Sequence, residues 1–162
     1  MKIRRAEIKD ARAIAQISVD TWKDAYRGLL DDAILDGRKV DEKRISSWVD
    51  SIQNSSFVVL VCEDKDILGY LWAGPARDKH GVKNEIYALY VQTSQQRRGI
   101  GSLLIKEYKK IINNGDFYLY MLKNNAKASS FYERQGGSVW EKHNRKLEVQ
   151  NNSIEEICYI FK

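Results

Sequence analysis

The stretch VQTSQQRRGIGSLL, residues 91–104, sets two arginines and two glycines between a strand-like run and a helical one. The preceding run, NEIYALYV, is apolar and aromatic, and the following run, GSLLIKEYKKII, repeats apolar residues at helical spacing. A strand that enters a helix through such a turn leaves the first helical N–H groups unpaired and directed at one point. Glycine lets an anion approach these groups closely. The stretch therefore predicts a strand, an anion-binding turn and a helix.

The segments on either side predict an α/β protein with a mostly antiparallel central sheet flanked by helices and one crossover helix. Its expected element order is β-α-α-β-β-β-α-β-α-β-β. The first helix, DARAIAQISVDTWKDAY, should stop before Gly28, and SVWEKHNRKLEV should pair with IEEICYIF as a final hairpin. A chain of 162 residues with a single proline fits one compact domain spanning residues 1–162.

Composition excludes several classes of protein. The amino-terminal segment carries charges every few residues and no apolar core, so a signal peptide or a membrane helix is not expected, and the prediction is a cytoplasmic protein without a membrane partner. Cys62 and Cys158 lie in separate strand-like runs and are predicted to be buried thiols. His80 and His143 are predicted to stand alone in polar turns, so no metal site is expected.

The net charge of +5 is concentrated in one part of the chain. Residues 96–134 hold eight lysines and arginines against three acidic residues, whereas the rest of the chain is neutral. A basic excess around the glycine turn suits a compact anionic ligand better than a long polyanion, although solvated helix faces could also account for it. Nucleic acid is therefore not the expected partner.

Two motifs resemble one known family. QRRGIG is similar to the acetyl-coenzyme A loop of GCN5-related N-acetyltransferases (GNAT), whose pattern is Gln/Arg-x-x-Gly-x-Gly/Ala. NAKASSFYERQGG, residues 125–137, resembles the family's downstream Asn-x-x-Ala-x-x-Phe-Tyr-x-x-x-Gly stretch. The segment DARAIAQISVDTWKDAYRGLL and the element order are similar to small-molecule members along essentially the whole chain. The resemblance implies a GNAT-like fold and an acetyl-coenzyme A donor.

The resemblance also implies how the donor is held. Backbone amides of the QRRGIG loop would bind the pyrophosphate, the backbone of Tyr90 and Val91 would pair with the pantetheine arm, and Asn125 would steady that arm. The Val91 amide could also polarise the thioester carbonyl. Asn125 could instead be only a helix cap. The residues expected to contact the donor are Tyr90, Val91, Gln96, Arg97, Arg98, Gly99, Ile100, Gly101, Ser102, Asn125, Ala128 and Phe131.

Two residues are candidates for the proton transfers of acyl transfer. An ammonium must lose a proton before it attacks, and a thiolate leaves better as a thiol. Tyr132 occupies the position of the family's acid-like tyrosine. Glu85 begins an otherwise apolar strand, fourteen residues before Gly99, where histone-type members carry a glutamate base. A chain of waters is the alternative base, and packing beside Phe131 is the alternative role of Tyr132.

The acceptor site is less defined by the sequence. Aromatic side chains could wall a pocket for an amine, with Trp22 and Tyr26 on one helical face as the best pair, but the same spacing is typical of core packing. Asp31 stands where small-molecule members often have a proline. The full set of candidate acceptor-binding residues is Trp22, Tyr26, Tyr70, Trp72 and Tyr87.

The sequence therefore predicts an N-acetyltransferase that uses acetyl-coenzyme A, without a metal, to acetylate a small-molecule or peptide amine by direct attack. A catalytically idle acyl-coenzyme A sensor is the main alternative, because it would keep the loop without needing Tyr132 or Glu85. A weak nucleic-acid binder would need a long basic face with interleaved aromatic residues. Either a monomer or a homodimer is compatible with the sequence.

Overall fold

The computed structural model describes residues 1–149 and 152–162. In this part of the chain the strands are β1 Lys2–Arg5, β2 Val58–Glu63, β3 Ile67–Pro75, β4 Asn84–Val91, β5 Phe117–Leu122, β6 Ser138–Val139, β7 Arg145–Val149 and β8 Asn152–Phe161. The α-helices are α1 Ala11–Tyr26, α2 Asp32–Gly37, α3 Glu42–Gln53, α4 Ile100–Ile111 and α5 Ala126–Arg134.

The strands form one mixed sheet in the order β1-β2-β3-β4-β5-β8-β6, and β7 pairs with the early part of β8. Strands β4 and β5 are parallel, and the remaining pairs are antiparallel. A parallel pair needs a crossover connection, and α4 supplies it. The predicted α/β fold with a mostly antiparallel sheet is confirmed.

Helices cover both faces of the sheet because alternate side chains of the strands are apolar on both sides. Helices α4 and α5 pack on one face, where Leu71 and Ile86 meet Leu104. Helices α1 and α3 pack on the other, where Val61 and Tyr70 lie in the core. The sheet thus separates a face that carries the glycine turn from a face that carries the candidate acceptor residues of α1.

Two predicted elements differ from the structure. The expected strand SVWEKHNRKLEV is divided into β6 and β7 by a 3-10 turn, Glu141–His143. The Cys158 N–H donates to the side chain of Asn144 at 2.9 Å, so a side chain replaces the backbone partner of a continuous ladder. Helix α2 was not predicted, since its six residues are too few to show a helical period.

Other expectations concern the cysteines, membrane spans and metals. Cys62 and Cys158 are free and buried, as predicted. None of the helices in the described residues combines the length and the apolar composition needed to cross a bilayer. Over the same residues, no group of three or more histidine, cysteine or acidic side chains is arranged to hold a metal ion.

Candidate active site

The parallel strands β4 and β5 separate and leave an open backbone edge. They pair only through Asn84–Ile86 against Phe117–Leu119, while β4 continues to Val91. The Gln92 N–H donates to Leu68 O at 2.9 Å, toward β3. Because polar groups of an antiparallel strand alternate between its two edges, the Val91 amide faces the open edge. The place where β4 and β5 separate, here called the fork, therefore offers free backbone donors and acceptors beside β5.

This alternation corrects one expectation about the donor-binding backbone. Tyr90 pairs with Tyr70 in the register of the Gln92–Leu68 bond, so its N–H and C=O groups are directed to β3. Leu89, two residues before Val91, shares the open edge instead. The sequence does not show which N–H groups face the open edge, because their direction depends on strand register.

The turn after β4 forms a concave set of amides. Arg97 and Gly99 have positive φ, 64° and 79°, on either side of Arg98. The Leu103 N–H is the first in α4 to bond within the helix, to Gly99 O at 3.0 Å. The preceding helical amides, those of Ile100 to Ser102, have no such partner, and no side chain caps this helix. Amides in this arrangement, at the positive end of a helix dipole, attract anions.

Side chains around the turn have different roles. Gln96 donates from Nε2 to Val91 O at 3.3 Å and so joins the turn to the end of β4. Arg98 hydrogen-bonds through Nη1 to the side chain of Gln95, and Arg97 and Arg98 are both exposed. Ile100 is buried in the core, so only its backbone can contact a ligand.

The local charge differs from the expectation that the basic excess gathers at the turn. Lys109 and Lys110 lie in the last turn of α4, about 14 Å along the helix from its beginning. Lys123 pairs with Glu155 at 2.6 Å. Arg97 and Arg98 belong to the turn itself, whereas Lys109 and Lys110 lie at the other end of α4, because sequence proximity does not place a charge at the same end of a helix.

Helix α5 carries the second motif. The Asn125 Oδ1 accepts a hydrogen bond from the Ala128 N–H at 3.0 Å and caps the helix, which leaves its side-chain NH₂ for another partner. Phe131 packs against Gly101 at the beginning of α4. The two motifs, 24 residues apart in sequence, are therefore in direct contact.

Tyr132 lies between α5 and the sheet. Its side chain is 8% exposed, and its ring lies near the rings of Tyr159 and Phe161. Burial, followed by the nearby Tyr90, raises the pKa of the Tyr132 hydroxyl, so this group stays protonated at neutral pH. Among the described residues its hydroxyl has no hydrogen-bond partner, which leaves it free for a ligand.

Glu85 is more deeply buried than its position at a strand end suggested. It is fully buried, and its carboxylate accepts hydrogen bonds from the Arg77 backbone at 2.9 Å and from the Tyr118 hydroxyl at 3.0 Å. The Arg77 guanidinium also forms an ion pair with it. The Arg77 side chain is exposed to solvent, which largely screens its charge, while the Glu85 carboxylate that it pairs with is buried.

A polar network missed by sequence analysis surrounds His80 at the same fork. Its Nε2 lies 2.9 Å from the Tyr120 hydroxyl, which donates to Asp78 Oδ2 at 2.8 Å. The rings of His80 and His143 are 3.7 Å apart, so the two histidines do not stand alone as predicted. Burial, followed by the neighbouring His80, lowers the pKa of His143. They are 63 residues apart in sequence, and no local pattern indicates the contact.

Four of the five aromatic acceptor candidates occupy two places. Trp22 and Tyr26 stack with ring centroids 4.6 Å apart beside α2. Trp72 and Tyr87 lie 4.9 Å apart and pack on Phe57. No ring contact joins these two pairs in the described part of the chain, so they do not form a single aromatic wall.

The acceptor face also contains an arginine that the sequence did not single out. Arg38 follows α2 in the polar run DGRK, and its guanidinium lies 4.2 Å from the ring centroid of Trp22. Tyr70, named among the aromatic candidates, is fully buried on this face. An arginine in a polar loop gives no sequence signal, because its partner lies on another helix.

The profile of the family described as "Acetyltransferase (GNAT) family" matches residues 14–137. Similar proteins include an uncharacterized N-acetyltransferase, YuaI, of Bacillus subtilis, 26% identical over 76% of this chain and 72% of that protein. A probable N-acetyltransferase, Rv2775, of Mycobacterium tuberculosis is 27% identical over 83% of this chain and 78% of that protein.

Solved structures show the same fold. The PaiA N-acetyltransferase of Thermoplasma acidophilum, in complex with coenzyme A, has a TM-score of 0.74 at 21% identity, covering 99% of this chain and 98% of that one. YncA of Salmonella typhimurium, a putative acetyltransferase with its cofactor acetyl-CoA, has a TM-score of 0.73 at 21% identity, covering 100% and 93%.

Proposed function

The chain belongs to the GNAT family of acetyltransferases, and on that premise we propose that residues 1–162 act as one domain that transfers the acetyl group of acetyl-coenzyme A to a primary amine of a small molecule or peptide. One observation carries the proposal. The open edge of β4 ends at Val91, and a short 3-10 turn, Thr93–Gln95, connects it to the backbone amides of residues 97–102. A donor with a polar arm and a phosphate group next to it fits this sequence of features.

The donor would lie along the fork. Coenzyme A carries about four negative charges, which the helix dipole and the exposed Arg97 and Arg98 attract. Amides of residues 97–102 would hold the pyrophosphate, while Leu89 and Val91 would pair with the pantetheine arm. The Val91 amide would then donate to the thioester oxygen as negative charge develops on it. Two similarly folded proteins are complexes with coenzyme A or acetyl-coenzyme A, which supports a donor of this kind.

The reaction would be a direct attack within a ternary complex. The neutral amine attacks the thioester carbon, a C–N bond forms, the C–S bond breaks, and coenzyme A leaves as the thiol. Tyr132 would give its hydroxyl proton to the departing sulfur, and the proton that the attacking nitrogen loses as the amide forms would return through water to the Tyr132 phenolate. Since burial raises the pKa of this phenol, donation to a free thiolate is unfavourable and should coincide with C–S cleavage.

The proton of the ammonium would pass to Glu85 or to a chain of waters. Glu85 forms an ion pair with Arg77 and lies at the strand end where β4 and β5 still pair. Its carboxylate already accepts hydrogen bonds from the Arg77 backbone N–H, the Arg77 guanidinium and the Tyr118 hydroxyl. This favours proton transfer through water over direct contact with the amine. Replacement of Glu85 tests this step.

An acyl-coenzyme A sensor without turnover is the second candidate, and the occupied carboxylate of Glu85 is the observation that favours it. One experiment separates the two functions. Calorimetry measures binding of acetyl-coenzyme A, and thiol release is followed with a panel of amines and peptides. Binding together with acceptor-dependent thiol release supports the enzyme. Binding without release across the panel supports the sensor, and no binding overturns both.

A further inference from the structure

Arg38 is a half-buried cation without an acidic partner. Its guanidinium lies over Trp22, and its Nε is buried without a hydrogen-bond partner among the described residues. Burial, followed by the like charge of Arg44, lowers its pKa. A buried donor that finds no acceptor is costly, so such groups in native proteins are normally paired.

The other arginines that are partly buried each have an acceptor, which for Arg44 is the Lys39 carbonyl, 3.0 Å from its Nε. Arg4 pairs with Asp10 at 2.7 Å and with Glu63 at 2.9 Å. Arg145 pairs with Glu156 at 2.7 Å. The contrast indicates that the partner of Arg38 comes from outside the chain.

A second unpartnered group lies on the same face. Tyr70 is 0% exposed, and its hydroxyl, although near Ser18, makes no sound hydrogen bond with any described residue. Tyr26 stacks on Trp22, the ring that the Arg38 guanidinium covers, and the rings of Tyr70 and Tyr90 lie 5.8 Å apart. Phenol hydroxyls beside a guanidinium can donate to an anion that the guanidinium binds.

Tyr90, one of the tyrosines on the same face as Arg38, lies at the end of β4. Because side chains alternate across a strand, Tyr90 lies on the α1 face while its neighbour Val91 packs on the α4 face. An acceptor held beside Tyr90 therefore reaches the Val91 edge from the side opposite the donor loop. Glu156 is paired with Arg145 at 2.7 Å. Of Arg38, Arg145 and Glu156, Arg38 is the one that has no ion pair among the described residues.

We propose that Arg38 binds an anionic group of the acceptor, and hence that the acceptor is a small amine that also carries a carboxylate or a phosphate, as an amino acid does. The planar guanidinium donors match the oxygens of either group. The exposed parts of the Trp22 and Tyr26 rings would cover apolar substituents of the acceptor. This inference rests on the proposed acetyl transfer, because it names the substrate class of that same site.

The test uses matched pairs of amines. Leucine is compared with leucinamide, and phosphoethanolamine with ethanolamine, with kcat/KM corrected for the fraction of free amine at each pH. Wild type should prefer the anionic member of at least one pair, and which pair responds tells carboxylate from phosphate. Arg38→Gln should lower kcat/KM for that member by on the order of 10- to 100-fold, mainly through KM, and leave the neutral member nearly unchanged.

Controls separate charge from folding. Arg12→Gln makes the same substitution at an exposed arginine of α1 and should retain the preference. Arg38→Lys keeps the charge without the planar donors and should retain part of it. Thermal unfolding of each variant shows whether it folds.

A binding measurement distinguishes failure of this inference from failure of the proposed function. Calorimetry with coenzyme A present compares N-acetyl-leucine with N-acetyl-leucinamide, which needs no turnover. If no amine is acetylated but N-acetyl-leucine binds through Arg38, acetyl transfer fails and the anion site stands. If turnover and binding prefer neither member of any pair, or if the preference survives in Arg38→Gln, the anion site is overturned.

Discussion

Gly101 lies so close to Phe131 that a Cβ atom on this glycine would stand 2.9 Å from the Phe131 Cζ. The beginning of α4 and the middle of α5 are therefore fitted to each other at a position that admits no side chain. Gly99 meets a different requirement, because its φ of 79° is left-handed while the space around its Cβ position is open. The second glycine of the motif thus serves packing, in addition to the anion access proposed for it.

The phosphate contact can be separated from this packing by two variants of equal size. Gly101→Asp and Gly101→Asn both disturb Phe131, at a cost of about 1 to 3 kcal/mol in the free energy of unfolding. Only the aspartate adds negative charge beside the amides. We expect Gly101→Asp to bind coenzyme A at least about 10-fold more weakly than Gly101→Asn, measured by calorimetry. Equal affinities in two folded variants would exclude a phosphate at this helix end.

Tyr132→Phe keeps the buried ring and removes the hydroxyl. If that hydroxyl protonates the leaving sulfur, kcat should fall by on the order of 100-fold while coenzyme A affinity hardly changes. The loss should be smaller with an acyl donor whose thiol is more acidic. Steady-state kinetics together with calorimetry provide the check, and full turnover in the variant would remove Tyr132 from the mechanism.

Glu85→Gln removes the buried anion that accepts from Arg77 and Tyr118. If Glu85 takes up the proton of the ammonium, kcat/KM should fall most at neutral pH, and the defect should become smaller as pH rises and more amine is already neutral. The pH profile of kcat/KM gives the measurement. A profile of unchanged shape would instead favour a chain of waters as the base.

Asp10 links stability to pH through Arg4. Burial alone would raise the pKa of Asp10, but hydrogen bonds from Arg4 and from the Glu7 amide outweigh it and the pKa is lowered. A carboxyl with a lowered pKa stabilises the fold above its unfolded value and loses this contribution as pH falls through the folded value. The contribution should thus be complete above about pH 4 and disappear below it.

Asp10→Asn provides the comparison. We expect this variant to be less stable than wild type by about 1 kcal/mol at pH 7, after allowance for solvent screening, and the difference to shrink below about pH 4. Thermal unfolding between pH 7 and pH 2.5 measures it. A difference that stays constant over this range would contradict the role of the Arg4 ion pair.

Features fixed by local chemistry were predictable. The left-handed Gly99 and the helix that follows it come from neighbouring residues, since glycine adopts positive φ without a steric cost. Gly28, also at positive φ, follows the end of α1 as expected. In the same way, the β-rich runs SFVVLVCE and ILGYLWAG indicated the strands β2 and β3.

Features that depend on strand register or on distant partners were not predictable from the sequence. The Val91 amide is free because β5 leaves β4 after Leu119, and no property of Val91 itself shows this. Glu85 looked like a strand-end carboxylate because its partners Arg77 and Tyr118 come from a loop and from another strand. Side-chain pairing over such separations depends on how the chain packs.

The sequence by itself determined the family, the glycine turn and the element order apart from α2 and the division between β6 and β7, because periodicity, conformational preference and motif spacing act over a few residues. The tertiary structure alone decided which amides of β4 remain free, which charges are paired and which arginine lacks a partner. Those properties belong to pairs of groups brought together by the sheet. Arg38 is a polar loop residue in the sequence, and only its burial over Trp22, away from every carboxylate of the described chain, makes it a candidate for binding the substrate.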